Sequence, residues 1–133
     1  MELIRVATVE SPLIDRASAP KQGDEGAPEA TLVFEEGFVP ALDGLAAGDD
    51  VLVLTWLDRA SRDVLRVYPR DDVSRGEHGV FATRSPDRPN PIGLHRVTVL
   101  GIDGPRMRVS AIEALDGTPV VDVKPLLRAA DER

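Results

Sequence analysis

Between Phe81 and Arg96 the chain reads FATRSPDRPNPIGLHR. Arg84 and Arg88 are permanent cations whose forked donors match a carboxylate or a phosphate, and Asn90 carries a donor and an acceptor on one short side chain. Pro86, Pro89 and Pro91 lack a backbone donor and fix φ, and they push Ser85, Arg88 and Asn90 toward extended backbone. The segment is therefore a preset loop, excluded from a helix interior and from a central strand. Ordering such a loop around a ligand costs little entropy, which suits a binding wall. The same residues also suit a structural turn with solvated arginines, and composition by itself leaves both readings open. Further on, LDGTP from Leu115 to Pro119 is a good turn between two strands. There Gly117 lets backbone come close, while Asp116 and Thr118 supply a carboxylate and a hydroxyl.

Other chemistry is closed off. The chain has no cysteine, which removes disulfides, thiolate nucleophiles and cysteine metal sites. With only His78 and His95 as imidazoles, no metal site is expected. No G-x-G-x-x-G follows a strand, so the dinucleotide-type α/β fold does not compete. The 16 Lys+Arg against 23 Asp+Glu give a net charge of −7, which opposes non-specific attraction to a polyanion. From Ala82 to Arg96, however, Arg84, Arg88 and Arg96 face a single acid, Asp87, so this segment is locally basic.

These residues need a scaffold, and its pattern is β. LIRVATVE, ATLVFE, DVLVLTWL, DVLRVY, HGVFAT, RVTVLGI, RMRVSAI and PVVDVKP are short β-branched runs separated by turn-formers. The clearest hairpin is VTVLGIDGPRMRVSAI, folded around Asp103-Gly104-Pro105. FVPALDGLAA, without alternation, predicts one short helix ending at Ala46-Ala47-Gly48. Residues 15–30 are polar, with scattered glycine and proline, and read as a long loop. The expected fold is all-β: a single-sheeted barrel of about eight short strands, with one short helix and long loops. At 133 residues one domain is expected over 1–133. Since 42% of residues are hydrophobic and only 4% aromatic, its core is expected to be aliphatic, with Trp56 and Tyr68 in the core or at an interface. His95 is expected to be a half-buried structural group and His78 exposed. No apolar run approaches the ~18 residues of a spanning helix and MELIRVATVE carries no leader pattern, so the expectation is a cytoplasmic protein without membrane contact.

The string GVFATRSPDRPNPIG, Gly79 to Gly93, closely resembles the signature of the TrmO/YaeB/TsaA-like family, whose characterised members are S-adenosylmethionine-dependent tRNA methyltransferases. ALDGTPVVDVKPLL, Ala114 to Leu127, resembles the segment near the end of that family's catalytic domain, and SPLIDRASAPKQG resembles its upstream loop. The likeness spans Ile4 to Leu127. It implies a β-barrel that binds S-adenosylmethionine and forms a homodimer with the cofactor near the subunit interface. By position it implies cofactor contacts at Pro20, Lys21 and Gln22, at Asp58 and Arg59, at Arg84 and Leu94, and at Leu115, Asp116, Gly117 and Thr118.

Each of these residue types has a physical use. Backbone groups around Leu94 and Leu115 suit adenine, Arg84 or Lys21 suits the methionine carboxylate, and Asp116 and Thr118 suit ribose hydroxyls or the amino group. Three positions depart from the family pattern: Lys21 replaces the usual arginine, Asp58 a histidine, and His95 a serine. Methyl transfer depends on in-line positioning more than on a strong base, so no catalytic triad is expected. Asp58, Asp87 and Asp116 are the candidate proton acceptors. The implied acceptor is N6 of threonylcarbamoyladenosine beside the tRNA anticodon, with Arg88, Asn90 and Arg96 as substrate contacts. A small-molecule acceptor and a non-catalytic cofactor-binding barrel are the alternatives. The sequence runs six residues past Leu127, so the C-terminal domain carried by some members is expected to be absent.

Overall fold

Alternation along each strand decides which residues turn inward. In β3 (Asp50–Trp56) these are Val51, Val53 and Thr55, and in β6 (Ile92–Asp103) they are Gly93, His95, Val97 and Val99. β1 (Ala7–Glu10), β2 (Ala30–Phe34), β7 (Arg106–Val109) and β8 (Pro119–Pro125) supply the other walls. In the computed structural model, which describes residues 1–14, 28–69 and 72–127, these six strands close into a barrel of order β1-β2-β7-β6-β3-β8, antiparallel at every seam. Closure matters because it leaves no unpaired strand edge.

The long strand β6 makes closure possible. Its first half pairs with β3, from Ile92 opposite Trp56 to Thr98 opposite Asp50, and its second half with β7. The register shifts between Val99 and Gly101, where an irregularity bends the strand from one neighbour to the next. The β6–β7 hairpin turns at Gly104, whose φ of 58° lies in the left-handed region, as the Asp-Gly-Pro turn predicts. The core is aliphatic, with Val9, Leu32, Val51, Val53, Val99, Met107, Val109, Ile112 and Val120 at 0–1% exposure.

The expected short helix is a 3-10 helix over Glu36–Leu42, earlier than FVPALDGLAA suggests, with only Leu42 buried. Pro40 inside it cannot donate a backbone hydrogen bond, so a regular α-helix gains little here. Two expected strands lie outside the barrel: β4 (Arg66–Val67) and β5 (His78–Gly79) form a two-stranded ribbon. The chain from Leu57 to Pro91 has too little alternation to provide an inward face, so it makes an excursion. HGVFAT stops pairing at Gly79 and turns into a 3-10 helix at Val80–Ala82. Within the excursion the hydroxyl and amide of Ser74 hold the exposed Asp72 carboxyl below the usual carboxylate range. No helix among the described residues is long and apolar enough to cross a membrane.

Candidate functional site

The proline loop is seated on the segment that leaves β3. The Leu57 amide donates to the Pro91 carbonyl (2.8 Å), and the Arg88 amide to the Ser61 carbonyl (3.0 Å). The Ser61 amide donates to Asp87 Oδ1 (2.9 Å). Arg62 completes the join, with Nε donating to the Pro89 carbonyl (2.8 Å) and Nη2 to Asn90 Oδ1 (3.0 Å). Its guanidinium lies 5.0 Å from the centre of the Trp56 ring, a cation–π distance. Ser61 and Arg62 are thus organising residues that sequence reasoning missed, since RASRD looks like any solvated loop.

The two loop arginines have opposite surroundings. Arg88 is half-buried and turned into its own loop: Nη1 donates to the carbonyls of Thr83 (3.1 Å) and Ser85 (2.9 Å), and Nη2 to that of Val80 (2.7 Å). These bonds hold the loop's shape. Arg84 is exposed and has no bonding partner among the described residues, so its donors face solvent. Arg96, on the outer face of β6, is likewise exposed.

The second wall is the LDGTP turn. The Thr118 amide donates to the Leu115 carbonyl (3.1 Å), closing a turn with Gly117 at φ 85°. A side chain at that φ is strained, which explains the glycine. The turn is bound to β1 through Gly117 N–H to the Val9 carbonyl (2.7 Å) and Val9 N–H to the Thr118 carbonyl (2.9 Å). Thr118 and Leu115 are buried, while Asp116 is exposed. A shallow groove beside the turn is lined by Thr8, Glu10, Val33, Asp116 and Gly117.

The segment Ser11–Ile14 joins the two walls. Asp116 Oδ1 accepts from the Ser11 amide (2.9 Å), the Asp116 amide donates to the Leu13 carbonyl (2.6 Å), and Arg59 Nη1 donates to the Ile14 carbonyl (2.8 Å). Two of the implied cofactor positions, Arg59 and Asp116, are thereby tied to one segment, with Gly117 next along the chain from Asp116. Asp58 is exposed beside Arg59. Pro20, Lys21 and Gln22 lie outside the described residues.

Leu94 points outward from β6 and is 43% exposed. Around it the outer face is apolar, contrary to the polar exterior expected of an antiparallel barrel. Leu94 sits opposite Leu54 and Ile92 opposite Trp56, with Ile92 also exposed and Leu52, Leu54 and Trp56 half-buried. Trp56 is thus on the outside, and Tyr68 is exposed on the excursion.

Inside the barrel, His95 is 5% exposed, more buried than expected, and has a partner on each ring nitrogen. Nδ1 lies 2.7 Å from Glu113 Oε1, and Nε2 lies 2.7 Å from Thr55 Oγ1. A carboxylate only accepts, so Nδ1 carries a proton, and in the neutral ring Nε2 accepts the Thr55 hydroxyl. Gly93 is required by this bond. A Cβ there would fall 2.7 Å from His95 Nε2 and closer still to Thr55 Oγ1. His78 is exposed, with Nδ1 3.0 Å from the Gly76 carbonyl.

The profile of the family described as the tRNA-methyltransferase O N-terminal domain matches residues 8–132. The chain belongs to this family. A probable S-adenosyl-L-methionine-binding protein of Methanothermobacter thermautotrophicus is 43% identical over 126 residues, covering 95% of this chain and 90% of that protein. An S-adenosyl-L-methionine-binding protein of Archaeoglobus fulgidus is 40% identical over 124 residues, covering 93% and 88%. Another probable S-adenosyl-L-methionine-binding protein of that organism is 44% identical over 98% of this chain but only 35% of its own length. The crystal structure of TrmO from Pseudomonas aeruginosa superposes with a TM-score of 0.78 at 32% identity, over 98% of this chain and 58% of that one. The chain therefore spans under three fifths of the TrmO chain and about a third of the longer Archaeoglobus relative.

Proposed function

We propose that this chain binds S-adenosylmethionine and transfers its methyl group to a nitrogen of tRNA, N6 of threonylcarbamoyladenosine beside the anticodon. The observation that carries this reading is the family match together with the binding of both Arg59 and Asp116 to Ser11–Ile14.

The residues present fit the cofactor's chemistry. The exposed Arg84 guanidinium is an unused cation for a carboxylate. Backbone around Leu94 and Leu115 offers edge hydrogen bonds to a base, the glycine at φ 85° leaves backbone approachable, and Asp116 presents a carboxylate oxygen beyond the one held by Ser11. Held there, the cofactor would supply an electrophilic methyl group carried on a sulfonium. The protein's task is to hold the acceptor in line and to receive its proton. Asp58, Asp87 and Asp116 are the candidate acceptors for that proton. Asp87 and Asp116 each anchor a backbone amide through Oδ1, so their orientation is set before a substrate arrives.

The tRNA reading rests on the family description and on the arginines of the excursion and β6. Arg88 bonds to its own loop, so its part in recognition is to shape the wall, and so is that of Asn90, which is held by Arg62. Arg96, exposed on the outer face of β6, is then the proposed phosphate ligand. The test is transfer of a labelled methyl group to tRNA purified from cells lacking the gene. Label is expected at threonylcarbamoyladenosine, and Arg96→Ala is expected to flatten the salt dependence of tRNA binding by about 0.9 in slope. Label entering only small molecules would replace tRNA as acceptor. Binding without transfer to any acceptor would leave a non-catalytic barrel.

A second copy of the chain is the proposed occupant of the apolar outer face formed by Leu54, Trp56, Ile92 and Leu94. Isologous packing there would cover Leu94 and set the cofactor beside the partner, in keeping with the homodimer that the family resemblance implies. Sedimentation at micromolar concentration is expected to give the mass of two chains, and Leu94→Glu that of one. A wild-type monomer that transfers methyl groups would exclude this arrangement.

A further inference from the structure

We infer that His95 is a positioning residue for the cofactor site, through the chain Thr55–His95–Glu113; the inference rests on the cofactor reading above. Among the described residues, Thr55, His95 and Thr118 are the buried polar groups of an otherwise apolar interior. A polar pair in such a core gains little net stability over well-packed apolar residues, because its bonds replace equally good ones to water. What it adds is fixed geometry. The three side chains lie where three walls of the site begin. Thr55 is the last inward residue of β3 before Leu57–Arg62, His95 directly follows Leu94, and Glu113 stands two residues before Leu115.

The need for a brace is uneven among these walls. β3 and β6 are held by their own ladder, with Thr55 opposite Gly93 and Val53 opposite His95. Residues 111–115 belong to no strand. Their backbone is tied at the ends, by Ile112 N–H to the Pro28 carbonyl (3.2 Å) and by Asp116 N–H to the Leu13 carbonyl (2.6 Å). Both of these ties run toward the β1–β2 side, while Ser110, just before the segment, is tied to β6 by its amide to the Thr98 carbonyl (2.9 Å) and by the Thr98 amide to its Oγ (2.8 Å). Past that tie, on the side of the site, the Glu113–His95 bond of 2.7 Å holds the segment to β6 a second time. It therefore sets the separation of the backbone around Leu94 from that around Leu115, the two stretches proposed to flank the adenine. The Thr55 hydroxyl orients the ring from behind, and the missing side chain at Gly93 leaves room for it.

The test is calorimetric titration of the full-length chain with S-adenosylhomocysteine, together with unfolding midpoints. Glu113 is partly exposed, so Glu113→Ala is expected to fold and to raise Kd about tenfold, while Glu113→Gln, which keeps an acceptor for Nδ1–H, stays within about threefold of wild type. Thr55→Val, which removes the hydroxyl at similar size, is expected to weaken binding about threefold, and Thr55→Ser to restore it. A brace that served stability alone would lower the midpoint of Glu113→Ala and leave its Kd unchanged, which overturns the inference. So does equal loss in Glu113→Ala and Glu113→Gln with Thr55→Val unaffected, because charge rather than the hydrogen-bonded chain would then be the cause. Failure of the wild type to bind overturns the cofactor reading itself and the brace with it, a result separable from the other two.

Discussion

S-Adenosylhomocysteine at about 100 times its Kd is expected to raise the unfolding midpoint of this chain by about 10 °C. A ligand that binds only the folded state adds RT ln(1 + [L]/Kd), or ~2.7 kcal/mol at that excess. For a chain of 133 residues, 1 kcal/mol corresponds to about 4 °C. The check is a thermal scan with increasing ligand, in which the midpoint climbs with the logarithm of concentration. An unchanged midpoint at millimolar ligand would remove S-adenosylmethionine from the account and with it the methyl transfer.

Arg84→Ala and Arg88→Ala are expected to fail in opposite ways. Arg84 holds nothing within the described protein, so its loss should leave the unfolding midpoint within about 2 °C of wild type. If it pairs with the cofactor carboxylate, the lost charged partner costs about 2 kcal/mol, or roughly thirtyfold in Kd. Arg88 bonds to three carbonyls of its own loop, half-buried. Removing it takes the side-chain donor from the Thr83 and Ser85 carbonyls, while the Val80 carbonyl keeps the Thr83 amide and hydroxyl, and should lower stability by about 2 kcal/mol, near 8 °C in midpoint. Scans without ligand and titrations with S-adenosylhomocysteine separate the two. A destabilised Arg84→Ala, or one with unaltered affinity, would assign the carboxylate to another cation.

Much of the scaffold was legible along the chain because strand patterns and turn chemistry are local. The alternation in DVLVLTW, RVTVL and RMRV determined the inward faces, and Asp103-Gly104-Pro105 and Asp116-Gly117 determined turns whose glycines have φ of 58° and 85°. The excess of aliphatic over aromatic residues likewise determined what fills the barrel. Tertiary structure decided what depends on partners far along the chain. DVLRVY and HGVFAT have strand-like composition, yet they form only a short ribbon, because the excursion that carries them has no inward face to contribute. Arg84 and Arg88 are the same residue type four positions apart, and only the folded loop turns one into its own carbonyls and leaves the other in solvent. The proline string announced a rigid loop but not its seat, which Ser61 and Arg62 supply from residues with no distinguishing pattern. His95 could be read only as a histidine at the start of a strand. Pairing of β3 with β6 placed Thr55, and the return of the chain after β7 placed Glu113 from 18 residues downstream, against its two nitrogens. Gly93 shows the difference most directly: a glycine in the sequence is a permission for unusual φ, but here what forbids a side chain is the hydrogen bond of two residues that only the closed sheet brings together.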